Sequence, residues 1–525
     1  MSVSQRFVTA RTIGGALFLF AFFCWRIFSI NAAEQPNILV AISDDQSWRH
    51  AGAYGDQIVK TPNFDRVARE GVLFNYAFCS SPSCTASRGT LLTGQHHWRL
   101  EEGANLHSAL PAKFACYPEL LGKAGYQVGY TGKGWGPGKI DPSGRKENPA
   151  GPAFNKIRFQ GKQRPPSQIS NINYAANFAD FIGQEPDGKP FCFWFGAHEP
   201  HRAYELDSGR RAGKKIDDVK VPRYLPDLPG VRSDILDYYL EIEWFDRQLG
   251  YMLDLLKERG ELDNTLVVVI SDNGMPFPRS KLNLYDSGVR MPLGILWPAK
   301  VPGGRVVDDF VHFADLAPTF LESAGLEVPA DMSGRSLMNI LTSRQSGHVE
   351  PTRDHVVVGR ERHLAHANPG GVYAGRAIRT HRYLYIHNLF PDLYPMGRPP
   401  HYTDADRGPT KYAFMLQPDL PEVKRAFNYT LGLRPAVELY DCNKDPDQIN
   451  NLAADPAHKE IRDQLAARLQ AELKRTGDPR ALGKEVTWDS DPYYSGSYEG
   501  WIGIQEKLMD EYQRVRGEGK ELEGN

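Results

Sequence analysis

Asn37-Ile38-Leu39-Val40-Ala41-Ile42-Ser43-Asp44-Asp45 is the stretch that decides the fold class. Its apolar run is continuous rather than alternating, which marks a strand buried on both faces. Thr265-Leu266-Val267-Val268-Val269-Ile270 repeats the pattern and ends in Ser271-Asp272-Asn273-Gly274. Phe191-Cys192-Phe193-Trp194-Phe195 does so again and runs on to His198. Each run hands polar residues to its carboxyl end, the edge at which open α/β sheets bind ligands. Between them Tyr239, Ile242, Phe245, Leu249, Met252, Leu253 and Leu256 recur at helical spacing, with Ser233 as the expected N-cap and Gly260 as the stop. The alternation predicts an α/β core through about residue 340, a large, mixed, mostly parallel sheet sandwiched by helices.

The remainder reads differently. Tyr383-Leu384-Tyr385-Ile386 and Glu438-Leu439-Tyr440 predict strands of a smaller sheet. Ile461, Leu465, Leu469 and Leu473 mark an amphipathic helix that ends at Gly477. The tail after Gly496 mixes aromatics and charges and is expected to wrap the surface. The resulting division is a signal segment at 1–33, a catalytic domain at 34–350 and a smaller α+β C-terminal domain at 351–525.

With 525 residues, 41% hydrophobic and 24% charged, the composition is that of a globular protein. A net charge of -2 gives no electrostatic reason to expect nucleic acid or an anionic membrane. A polyanion would have to be met locally. Arg210, Arg211, Lys214 and Lys215 form one such basic run, which reads equally well as a solvated loop. Arg6 and Arg11 precede an apolar run from Ile13 to Trp25, too short to span a bilayer comfortably, and Ala32-Ala33 supply small residues for cleavage. The reading is export to a periplasmic, secreted or lysosome-like compartment, with a signal anchor as the alternative. The six cysteines follow no zinc spacing. Cys192 reads as a core thiol, and Cys79 and Cys116 are a candidate pair.

Ser81-Pro82-Ser83-Cys84-Thr85-Ala86-Ser87-Arg88-Gly89-Thr90-Leu91-Leu92-Thr93-Gly94 predicts a short helix capped by Ser83 and ended by Gly94. Arg88, four residues on, shares a face with Cys84. The positive helix N-terminus suits an anion and predicts a depressed Cys84 pKa. Asp44, Asp45, Asp272 and Asn273 come from two strand ends far apart in sequence. Three converging carboxylates repel unless a cation sits between them, and all-oxygen donors suit calcium or magnesium. Taken singly, these residues are helix caps and a turn; at the ends of two apolar strands they favour the metal.

The Cys84-to-Arg88 element, followed by Leu92-Thr93-Gly94, resembles the signature of the type I sulfatases of the alkaline phosphatase superfamily. Ala86 stands where proline is commoner. The resemblance implies that Cys84 is oxidised to formylglycine by a maturation enzyme. It implies that Asp44, Asp45, Asp272, Asn273 and the modified Cys84 hold calcium, and that Arg88, Lys133 and Lys281 bind the sulfate. Lys133 lies in Gly132-Lys133-Gly134-Trp135, similar to the family's Gly-Lys-x-His, with Trp135 in the histidine's place. His96, His97 and His107 are candidates for the missing base. His198, in His198-Glu199-Pro200-His201, matches the proton donor to the leaving group. Arg362 and His363 open the second domain and are candidates for the pocket rim. Ser271 to Tyr285 is similar to the heparan N-sulfatases. The implied activity is hydrolysis of a sulfate ester or sulfamate on a sulfated sugar. The alternatives are a phosphohydrolase of the same fold and an inactive sugar-binding relative.

Overall fold

The computed structural model describes residues 35–522, apart from 162–164, 167, 185–187 and 366. The expected signal segment lies outside the described residues. Among those described, no helix is long and apolar enough to cross a membrane.

Eight strands form the main sheet: β1 (Asn37–Ser43), β2 (Val72–Phe78), β3 (Gln127–Gly132), β4 (Phe191–Gly196), β5 (Thr265–Ser271), β6 (Arg290–Met291), β7 (Leu293–Leu296) and β8 (Arg305–His312). Their order is β3-β4-β1-β5-β7-β2-β6, with β8 paired to β2. The strands β3, β4, β1 and β5 run parallel, while β7 is antiparallel to both β5 and β2. The three apolar runs are therefore adjacent, and β1 lies between the other two. Both faces of β1 are covered: Ile38, Val40 and Ile42 pack into one core and Leu39 and Ala41 into another. That double burial is why the runs do not alternate.

The helix Pro229–Glu258 covers one face with Phe245, Leu249, Met252, Leu253 and Leu256. It starts four residues before Ser233, because Pro229 pre-sets the first helical turn and needs no hydrogen-bond acceptor. Ser233 is inside the helix and donates to Asp207 Oδ1 at 2.5 Å instead of capping. Cys192 is a core thiol as expected. Cys79 and Cys116 are not paired; both are free and buried.

A second, antiparallel sheet has the order β12-β11-β10-β9, from Val437–Asp441, Tyr383–Asn388, Gly375–Thr380 and His355–Arg360. The helix Lys459–Arg475 packs Leu465, Leu469 and Leu473 against it, and Gly477 follows in the left-handed conformation. The tail forms the helix Tyr498–Leu522.

Arg376 on β10 anchors this region from within. It pairs with Glu361 at 2.5 Å and Asp478 at 2.7 Å, all three essentially unexposed. Removing one partner of a buried ion pair costs about 3–5 kcal/mol, because the remaining charge is stranded. Arg376→Ala should lower the urea midpoint by a corresponding amount without changing the slope of the transition.

Candidate active site

The register of the central strands builds the site. Ser43 of β1 lies opposite Ser271 of β5, and Ile42 opposite Gly196 of β4. Asp44-Asp45, Asp272-Asn273 and His198-Glu199 thus leave the sheet at one edge. Two backbone bonds hold them level, Asp272 N–H to Ser43 O and Asp44 N–H to Glu199 O. Asp45 takes a left-handed φ of 75°, uncommon for a residue with a side chain. Its N–H is pinned to Asp272 Oδ1 at 3.0 Å, and the Asn273 N–H reaches the same oxygen at 2.8 Å.

The helix Cys84–Thr93 enters beneath this edge with every residue buried. Cys84 is its first residue and Gly94 closes it in the left-handed conformation. Ser83 makes no capping bond; its Oγ pairs with His363 Nδ1 at 3.1 Å. The Cys84 Sγ lies 3.5 Å from Asp44 Oδ1, 3.9 Å from Asp45 Oδ1 and 3.7 Å from Asn273 Nδ2. One turn on, Arg88 Nε donates to Asp272 Oδ2 at 2.8 Å and Nη1 to Lys133 O at 3.0 Å. Lys133 Nζ is 2.6 Å from Asp44 Oδ2, and Lys281 Nζ is 2.7 Å from Asp45 Oδ2. All five predicted metal-site residues and three predicted cations therefore meet in one place.

Ligand atoms of Asp44, Asp45, Cys84 and Asp272 lie within 4.8 Å of one another. Among the described residues this is the one group of three or more His, Cys, Asp or Glu side chains close enough to share an ion. Asn273 Oδ1 is buried with no hydrogen-bond partner, and so is Arg88 Nη2. Such orphans are uncommon in folded proteins, because each forfeits its hydration. The orphaned acceptor beside three carboxylates fits a hard divalent cation with oxygen ligands.

The electrostatics follow from burial. Burial alone would raise Asp44, but Lys133, then His201, Arg88 and Lys281 outweigh it and hold the carboxyl well below its usual range. Burial pushes Asp45 up to about 6, with Asp44 and Asp272 adding to it against Lys281 and His201. Cys84 departs from expectation. Burial, with Asp44 and Asp272 adding, raises its thiol well above the usual value despite Lys133. The helix N-terminus does not prevail against burial and two carboxylates. His198 also departs from expectation. Burial lowers it to about 4, against the pull of Asp44, so the free protein holds it neutral rather than ready to donate a proton.

A cavity of about 690 Å³ opens onto Cys84, Asp44, Lys133, Lys281 and His198. His363 lines it. Arg362 does not; its guanidinium donates to the carbonyls of Asp489 and Asp491 at 3.1 and 2.9 Å. Trp135 is buried in the main core, away from the cavity wall. His97 is buried and His96 half-buried elsewhere, both in contact with Trp98. His107 reaches the cavity. The basic run does not: Arg210, Arg211 and Lys214 are paired with Asp207, Glu205 and Glu243.

Several wall residues had no role in the sequence reading. His201 Nε2 stands 3.8 Å from Asp45 Oδ2, and Asp406 Oδ2 stands 3.4 Å from Lys281 Nζ. His201 was legible as the second histidine of His198-Glu199-Pro200-His201. Trp501, Gln505 and Leu508 of the tail helix had no local signal.

Comparison with known proteins agrees with this geometry. The chain belongs to the sulfatase family, whose model matches residues 36–326. A second family model, the C-terminal part of N-sulphoglucosamine sulphohydrolase, matches 279–396. Human N-sulphoglucosamine sulphohydrolase is 27% identical over 497 residues, covering 86% of this chain and 93% of the human protein. An ulvan-active sulfatase of Formosa agariphila is 28% identical over 454 residues, covering 85% and 81%. A solved structure of a protein with its substrate D-glucosamine-2-N,6-O-disulfate shares the fold, with a TM-score of 0.62, 21% identity and coverage of 86% and 100%. The phosphonate monoester hydrolase of Agrobacterium radiobacter does so with a TM-score of 0.61, 21% identity and coverage of 84% and 96%. The fold is thus alkaline-phosphatase-like, and the protein is a hydrolase of sulfuric esters.

The raised thiol has a direct readout. In metal-stripped, unconverted protein at pH 8, Cys84 should react with iodoacetamide at least about tenfold more slowly than a free thiol of ordinary pKa, because less of it is thiolate. Peptide mapping of the alkylated protein measures this.

Proposed function

We propose that this protein is a calcium-dependent sulfatase that releases sulfate from a sulfate ester or sulfamate of a sulfated sugar, using a formylglycine made from Cys84. The observation that carries the reading is the convergence around Cys84, at the cavity, of three buried carboxylates and three cations. Without an ion, Asp44, Asp45, Asp272 and Asp406 (-4) exceed Arg88, Lys133 and Lys281 (+3) by one; a divalent ion would add +2, leaving +1. That surplus complements the single negative charge of a sulfate ester.

Asp44, Asp45, Asp272 and Asn273 would hold the calcium, which supplies positive charge and Lewis acidity beside position 84. With those carboxylates holding the ion, the Lys133 and Lys281 ammonium groups, now on Asp44 and Asp45, would be available to hold the sulfuryl oxygens. Arg88 keeps Nε on Asp272 and has Nη2 free for an oxygen at position 84. The formylglycine supplies an oxygen nucleophile that an unconverted thiol lacks. A sulfuryl anion beside His198 raises its pKa and makes it the proton donor to the departing oxygen or nitrogen. His201, which faces the cavity as Trp135 does not, is placed to take the proton in the step that frees sulfate.

The relatives named for N-sulphoglucosamine and for ulvan support a sulfated sugar as substrate. The match to the N-sulphoglucosamine sulphohydrolase C-terminal model puts N-sulfated glucosamine first among candidates. Export fits the N-terminal segment, and a formylglycine-generating enzyme is the implied partner.

Mass spectrometry of the peptide around Cys84 from the native host should show the aldehyde or its hydrate; an unmodified thiol throughout would overturn the mechanism. Sulfate release from a panel of N- and O-sulfated sugars should stop with EDTA and return with calcium. Lys133→Ala and Lys281→Ala should each lower kcat/KM by about 10²–10³-fold, the range for loss of one oxyanion-stabilising donor. Steady-state kinetics on the best sugar of the panel measures both.

A further inference from the structure

The cavity contains an acid that the chemistry above does not use. Glu241 sits midway along the helix Pro229–Glu258, is 3% exposed and lines the cavity. Its carboxyl makes no hydrogen bond and no ion pair to any described residue. The charged groups that act on it are committed elsewhere. Arg202 places Nη1 and Nη2 on the two Asp234 oxygens, each at 2.7 Å. Glu199 accepts the Ser170 N–H at 2.8 Å and the Tyr174 hydroxyl at 2.9 Å. Asp237 accepts the Asp207 and Gly209 N–H groups at 3.0 and 2.8 Å. The Glu241 oxygens are not among the closed-off polar atoms that lack a partner, so they open on the cavity. This carboxyl borders empty space beside the reacting groups, where a ligand can supply the missing bonds.

We propose that Glu241, with Gln168 and Ser170 on the same cavity, forms a subsite for the uncharged, hydroxyl-bearing part of the substrate sugar. The proposal rests on the reading of the substrate as a sulfated sugar and says which part of it is recognised. Burial, with Glu199 and Asp237 adding, raises the Glu241 carboxyl well above the usual range. A neutral carboxyl donates one hydrogen bond and accepts others, which is the pairing a sugar hydroxyl offers.

Two variants separate this role from a structural one. Glu241→Gln keeps shape and hydrogen bonding; Glu241→Leu removes the bonding. Turnover is read on the sulfated-sugar panel and on a small aryl sulfate that lacks sugar hydroxyls, with thermal melting alongside. Glu241→Leu should lower kcat/KM on the best sugar by roughly 10–100-fold, mostly through KM, the effect of losing a buried hydrogen bond. It should leave the aryl sulfate within about twofold and the melting temperature unchanged or higher, while Glu241→Gln keeps most sugar turnover. Equal sugar turnover by the Leu variant and the wild type overturns the proposal. So does a parallel loss on both substrates with a lower melting temperature. Aryl sulfate turnover without turnover of any sugar overturns the sugar reading and the subsite with it. Failure on both substrates counts against the formylglycine reading instead. Calorimetric binding of the same sugars to Cys84→Ala, with and without Glu241→Leu, then decides the subsite: weaker binding by the double variant supports it, and equal or undetectable binding overturns it.

Discussion

Three carboxylates held within a few ångströms of one another, out of water, are the constraint on which the site depends. Asp44, Asp45 and Asp272 are each nearly or fully unexposed, and like charges in that setting repel strongly. The fold answers with Arg88, Lys133 and Lys281, each on a different segment and each on one of the acids. The same cluster raises the Cys84 thiol and lowers Asp44. The ion pairs are also a reserve: were a divalent cation held by the carboxylates, as proposed, Lys133 and Lys281 would be free for an anionic substrate.

The wall of the cavity has a different origin from its floor. The floor is made by β1, β4 and β5 and the Cys84 helix, all inside the 36–326 match to the sulfatase family. Much of the wall comes from later residues: His363, Thr403 to Arg407, and Trp501, Gln505 and Leu508 of the last helix. Lys411, buried beneath them, donates to Gln505 Oε1 at 2.6 Å and ties that helix down. Residues beyond 396 lie outside both family models. The floor of the cavity thus lies within the sulfatase family match, and part of its wall lies beyond residue 396.

Most of the floor was legible because strand burial and strand-end polarity are local properties. The apolar runs at 38–42, 191–195 and 265–270 announced a covered parallel sheet, and the acids after them announced its ligand-binding edge. Ser83 and Gly94 bounded the Cys84 helix correctly, and the second sheet and the helix at 459–475 appeared where their patterns placed them. The misplaced side chains share one cause, competition from distant partners. Ser83 bonds His363 instead of capping, Ser233 bonds Asp207 from within a helix that Pro229 starts early, and Arg362 turns to the 489–491 carbonyls. The Cys84 and His198 protonation readings failed because burial outweighs the local helix or strand end.

What the sequence determined by itself is the chemical inventory and its order along the chain: a cysteine and an arginine on one helical face, acids after buried strands, a lysine after β3 and a histidine after β4. These follow from spacing, since period and capping are set within a few residues. What only the tertiary structure decided is which groups are buried, which are paired and which are left over. Trp135 falls in the core and His201 on the wall, and Glu241 reaches the cavity without a partner. The reason is physical: hydration and pairing depend on the atoms within a few ångströms of a group, and in this fold those atoms come from segments hundreds of residues apart.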